Sequence, residues 1–353
     1  MESISRKRIN WIDYLRCLAI LCVVLCHITE SVFYLSFDNY LEISGNHNLP
    51  LILFAIGRLG VPFFLLISGY LLLDKEYSDK KCTLFWKKKV FHLWIIFEVW
   101  LLIFFIWDKL YENMQLSFVD LLREILFLRL SEMGQMWYLP TILGIYLFIP
   151  FITIVLHKAD KKHIKILLCI CILYLYGVPT LNILLNIFHQ ENVATQLSLD
   201  FSGGIYGCYL IVGYLIKKDV LKKIKNVFLI IISFISFVIV CALEIFSYRN
   251  GNTCNIWYDC LFLFISGVCI FELCSRLKLK SNKVIEFGAK YSFGVYLTHN
   301  MVRSFIMKNI VFDNINKIAM IVIYEILVIV ISYIVTFAIS KIPKIGKYIL
   351  YIK

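Results

Sequence analysis

Charge is scarce in this chain: only 17% of its 353 residues are Asp, Glu, Lys or Arg, against 60% hydrophobic ones. Such a composition excludes an ordinary soluble domain and points to a polytopic membrane protein. Low-complexity linkers and tandem repeats are missing, so residues 1–353 read as one integral domain. The 12 cysteines show neither zinc spacing nor a disulfide framework. Most of them (Cys17, Cys22, Cys26, Cys169, Cys171, Cys208, Cys241, Cys260, Cys269 and Cys274) sit inside apolar runs and read as small apolar fillers. No His-x3-His and no Asp/Glu cluster at ligand spacing occurs, so no metal is expected. No A-x-A cleavage site follows the basic start Arg6-Lys7-Arg8, and the apolar run after it holds Asp13, Arg16 and His27. An uncleaved first helix is expected rather than a signal peptide.

What the chain does have is apolar runs near the 20 or so residues that a bilayer requires. Ten of them, near 11–34, 50–73, 90–110, 136–157, 163–182, 201–216, 226–247, 256–275, 289–310 and 318–340, predict an all-α protein with ten transmembrane helices. The stretch 116–130 is only fifteen residues long and carries Asp120, Arg123 and Glu124 on one face, which predicts an interfacial helix. Lys and Arg decide the orientation. With ten spans, 27 of the 36 fall on the side of the two termini and 6 on the other, while Arg16, Arg58 and Arg303 lie inside spans. Counting 116–130 as a span would destroy that asymmetry, so both termini are expected to be cytoplasmic. The formal charge of +12 is then mostly a topology signal rather than a nucleic-acid patch. It leaves a basic inner face suited to a polyanionic cosubstrate or acidic lipids.

Ionisable groups at membrane depth cost roughly 2.5–3.5 kcal/mol each, so each calls for an account. Arg16 and His27 are eleven residues apart, about 1100° of helical rotation, so they share one face roughly 16 Å apart along the axis. Asp13 lies near the same stripe. Arg58, in RLGVPFFLLISGY, falls at a depth comparable to His27, and Pro62 loosens the helix there. Ser68-Gly69 supplies small residues for close helix approach. Glu98 sits mid-span, Glu325 lies in the tenth span, and His299 and Arg303 lie one turn apart in SFGVYLTHNMVR. Glu244 and Asp259 fall near outer ends and read as interfacial. The blander readings are a packing role for His27 and His299, an Arg58–Glu98 ion pair, a snorkelling Arg303, and interface anchoring by Trp11, Trp137, Tyr138 and Trp257.

These blocks, in this order, resemble the membrane acyltransferase-3 family. Arg16, ten residues and His27 match its first-helix hallmark. RLGVPFFLLISGYLL resembles its second-helix block, and SFGVYLTH, Ser292 to His299, its late one. QMWYLPTILGIYLFIP, Gln135 to Pro150, resembles the surface-polysaccharide O-acetyltransferase subgroup, which includes the enterobacterial-common-antigen O-acetyltransferase. The likeness runs from Ile9 to about Ile339 and covers the acyltransferase unit, not the hydrolase-like or racemase domains appended in some relatives. It implies a multi-pass protein of the bacterial inner membrane. It also implies acyl transfer, expected to be acetyl, from cytoplasmic acyl-CoA to a hydroxyl of a surface polysaccharide or its lipid-linked precursor. Acyl-CoA is then a cosubstrate, with no permanently bound cofactor. His27 is implied as the catalytic histidine and Arg16 as donor-binding.

From the residues themselves, a neutral His27 suits a general base, and Arg58 suits the oxyanion that forms. Glu98 is read as orienting His27 or binding the acceptor. His299 and Arg303 are read as substrate-positioning. A covalent acyl-histidine relay fits the same residues. So does a different class, a transporter or flippase for a sugar, organic acid or amino acid, although the paired broken helices of many transporters are not visible. A scaffold subunit of a glycan-assembly complex is the blandest reading. A homo-oligomer remains open.

Overall fold

The computed structural model describes residues 8–33, 48–129, 131, 134–195, 197, 199–200, 203–250, 256–312 and 315–352. Arg6, Lys7, Cys254 and the range edges 34, 130 and 201–202 lie outside the described residues. Among the described residues all regular structure is helical. The α-helices are α1 (Asn10–Phe33), α2 (Asn48–Gly57), α3 (Gly60–Leu72), α4 (Asp79–Phe85), α5 (Phe91–Leu110), α6 (Phe118–Ile125), α7 (Tyr138–Lys158) and α8 (Lys161–Ile172). They continue as α9 (Val178–Ile187), α10 (Gly204–Lys217), α11 (Asn226–Arg249), α12 (Leu261–Ser275), α13 (Lys283–Asn309), α14 (Lys317–Ser340) and α15 (Gly346–Ile349).

Among the described residues, seven helical stretches are long and apolar enough to cross a membrane: Asn10–Phe33, Asn48–Leu72, Asp79–Leu110, Gly134–Lys158, Lys161–Ile187, Asn226–Arg249 and Lys317–Ser340. The chain is therefore a multi-pass membrane protein. α10 and α12 are apolar but shorter, and α13 is long but carries more polar residues. Large apolar side chains such as Leu167, Phe234 and Ile334 face outward on α8, α11 and α14, where acyl chains would cover them.

α1 is the axis of the bundle. It packs against α2, α3, α12, α13 and α14, and its side chains from Trp11 to Phe33 join the main core. α3 and α10 approach each other most closely at two glycines. A Cβ on Gly69 would fall 1.9 Å from the Leu210 carbonyl oxygen, and one on Gly213 would fall 2.2 Å from that of Leu66. The obstacle in both cases is backbone, which cannot rotate away. Gly213→Leu should therefore cost about 3 kcal/mol, the upper end of overpacking, and lower the thermal midpoint in detergent by several degrees. Gly144→Leu is the control, because a Cβ there meets nothing within 4 Å.

α6 occupies part of the expected interfacial stretch. Ser117 and Asp120 form a capping box, Ser117 Oγ accepting from the Asp120 amide at 3.2 Å while Asp120 accepts from the Ser117 amide at 2.9 Å. The bonds from Ser117, with the Arg129 guanidinium alongside, hold the Asp120 carboxyl down at about 2. The polar trio does not stay together: Glu124 and Leu121 are buried on the side that meets α5. Phe118, Val119 and Leu122 are exposed instead. An apolar face turned outward suits a helix lying against lipid. The eleven described cysteines are free thiols.

Candidate active site

α1 supplies the first members. His27 and Glu30 are three residues apart, hence on one side of the helix, and His27 Nδ1 lies 3.2 Å from Glu30 Oε2. A carboxylate accepts, so this bond assigns the proton to Nδ1 and leaves Nε2 with a lone pair. Arg303 reaches across from α13: its Nη1 donates to the His27 carbonyl at 3.1 Å and to the Ser31 hydroxyl. A snorkelling Arg303 is thus not what forms; the guanidinium turns inward, onto the helix that carries His27.

Arg58 comes from a break between two helices. Pro62 has no N–H to offer the Arg58 carbonyl, and the helix stops at Gly57 and restarts at Gly60. The break lies hard against α1, for a Cβ on Gly57 would sit 2.7 Å from Cys26 Cα and one on Gly60 2.6 Å from the Ala19 carbonyl oxygen. The Arg58 guanidinium lies 4.5 Å from the centre of the Phe54 ring and 4.6 Å from that of Trp257. It also bonds the Tyr258 side chain, while its Nε has no hydrogen-bond partner among the described residues. Glu244 is fully buried on α11 within electrostatic reach of Arg58, and not interfacial as its sequence position suggested. The expected Arg58–Glu98 pair does not form: Trp94 Nε1 donates to Glu98 at 2.7 Å instead.

The turn Gly134–Trp137 closes the remaining wall. Tyr296 Oη donates to the Gln135 carbonyl at 2.6 Å, and Asn300 Nδ2 donates to the Gln135 side-chain oxygen. Together these walls enclose a cavity of about 340 Å³. His27, Glu30, Arg58, Gln135, Asn300 and Arg303 line it with polar groups, and Trp137, Tyr138, Trp257, Tyr258 and Tyr296 with rings. Trp137, Tyr138 and Trp257, expected as interface anchors, therefore face inward.

Three residues singled out in the sequence meet here: His27, Arg58 and Arg303. His299 stands behind His27, the two ring centres 5.4 Å apart, and does not line the cavity. Its Nδ1 donates to the Tyr296 carbonyl at 2.7 Å and its buried Nε2 has no partner among the described residues. Glu98 is not brought to the cavity. Arg16 is not in the lining either; it pairs with Asp13 at 3.5 Å. Tyr146 bonds Ser68 at 3.2 Å. Glu30, Gln135 and Asn300 were not singled out as site residues. The i, i+3 spacing of His27 and Glu30 was the available signal for one of them. Among the described residues, no group of three or more His, Cys, Asp or Glu is arranged to hold a metal ion.

A base–carboxylate pair in a cavity with two guanidinium groups is the equipment of group transfer. The sequence profile of the acyltransferase-3 family, described as an acyltransferase domain, matches residues 9–340. The chain belongs to that family. Acyltransferase activity follows from membership, and the bilayer and an acyl donor are the partners that it suggests. No curated protein and no solved structure matches the chain.

Proposed function

We propose that this acyltransferase moves an acetyl group from cytoplasmic acyl-CoA to a hydroxyl of a surface polysaccharide or its lipid-linked precursor, with His27 as general base. The observation that carries the reading is the His27–Glu30 pair facing a cavity that Arg58 and Arg303 share. Glu30 fixes the imidazole so that Nε2 can take the proton of the attacking hydroxyl. The hydroxyl oxygen bonds the thioester carbon, the carbonyl oxygen becomes an oxyanion, and collapse of the intermediate expels the CoA thiolate. Arg58 neutralises the oxyanion; its free Nε is a ready donor. Arg16 receives the donor at the inner face. The setting is ten spans with both termini cytoplasmic in a bacterial inner membrane.

The test is isotopic: inverted membranes containing the protein, given radiolabelled acetyl-CoA, should pass label to glycolipid, and membranes lacking it should not. Equal labelling of the two would sink the proposal. Glu30→Gln keeps the size but removes the charge behind His27. Turnover should fall about 10- to 100-fold with little change in KM for acetyl-CoA. In a His27→Ala background the same change should cost almost nothing more, because the two residues act as one unit.

A further inference from the structure

We propose that Gln135 and Asn300 form a paired amide subsite that reads a second, neutral hydroxyl of the acceptor, beside the one that is acylated. The inference rests on the acyl-transfer reading above and names the chemistry that this part of the cavity selects. Both side chains line the cavity and both residues are only 2% exposed. Each spends one amide atom on the other, Asn300 Nδ2 donating to Gln135 Oε1. The other two atoms, Gln135 Nε2 and Asn300 Oδ1, are buried without a partner among the described residues. Orphaned amide atoms are unfavourable in a native interior unless a ligand satisfies them.

What they would satisfy is specific. One is a donor and the other an acceptor, and rotating both amides together keeps their mutual bond while exchanging the roles. The pair therefore always presents one of each, which matches a hydroxyl. A carboxylate or phosphate, acceptor on every side, would set its charge against the amide oxygen. The neighbouring walls agree. Trp137 and Tyr258 stack with ring centres 5.6 Å apart and offer flat apolar surface to the C–H faces of a sugar ring. Asn300 stands one helical turn before Arg303, which is bonded to the His27 carbonyl, so the subsite lies about 5 Å along α13 from the catalytic end. A hydroxyl two ring carbons away from the reacting one spans such a gap on a pyranose ring.

The experiment uses the purified full chain, acetyl-CoA, and octyl glycosides of glucose, galactose and N-acetylglucosamine, followed by the monodeoxy analogues of whichever is acetylated. In the wild type, deleting one particular non-reacting hydroxyl should lower kcat/KM at least about 30-fold, since a site built around a hydroxyl rejects the analogue lacking it. Asn300→Leu and Gln135→Leu should bring the parent-to-deoxy ratio close to 1. The ratio is unaffected by a general loss of active protein, and if Asn300→Leu does not fold it is read on Asn300→Ser. A ratio unchanged in these variants, or a wild type indifferent to every non-reacting hydroxyl, overturns the amide subsite alone. A wild type that never cleaves acetyl-CoA overturns the acyl-transfer reading beneath it, a separate failure visible as absent thiol release.

Discussion

His27→Ala should reduce acetyl transfer to glycolipid about 1,000-fold or more in membranes that hold normal amounts of the protein. A positioned base contributes typically 10²–10⁴-fold. Among the described residues no other imidazole lines the cavity: His299 stands outside it, and its Nδ1 is committed to backbone carbonyls. Stability should change little, because the ring makes a single side-chain hydrogen bond, to Glu30 on its own helix. The check is labelled acetyl-CoA in inverted membranes, with the thermal midpoint of purified protein alongside. Label passing equally in variant and wild type would remove His27 from the chemistry. A burst of label retained on wild-type protein but not on the variant would favour the acyl-histidine route over general-base catalysis.

Arg58→Met is expected to lower turnover about 10²–10³-fold while leaving KM for acetyl-CoA nearly unchanged, the pattern of a donor that acts only on the developing oxyanion. Arg58→Lys should rescue only a little. The guanidinium is held flat among the Phe54, Trp257 and Tyr258 rings, and an ammonium ion cannot reproduce that fit. Met at this position leaves buried Glu244 without its cation, so some loss of stability should accompany the loss of rate. Comparing Arg58→Met with Arg58→Met/Glu244→Gln separates the two: stability should return and turnover should not. Recovery of turnover in the double variant would make Arg58 a purely structural cation.

The helices were legible because membrane depth forces long apolar runs, and helix covers most of each of the ten expected ranges. The site was legible where its members share a helix. Arg16 and His27, or His299 and Arg303, can be phased by counting residues. Contacts between helices cannot, and there the reading went astray. Glu98 looked like the carboxylate for His27 because it lies mid-span, whereas Glu30, next to the end of the first run, holds the bond. Trp137 and Trp257 looked like anchors because tryptophan near a span end ordinarily marks the interface. Nothing local distinguishes a ring that turns outward from one that turns toward a cavity. Gln135 carries no local signal beyond opening a motif, since its value depends on Asn300, 165 residues away.

Gly57 and Gly60 hold the break that bears Arg58 directly onto the helix that bears His27, where a Cβ on either would lie 2.7 Å or less from atoms of α1. Base and guanidinium thus ride on one rigid splint. Lipids of different thickness will tilt or strain the peripheral helices, but they have no lever on the spacing of these two groups. Such an enzyme should keep its turnover across bilayers of different thickness that alter its tilt.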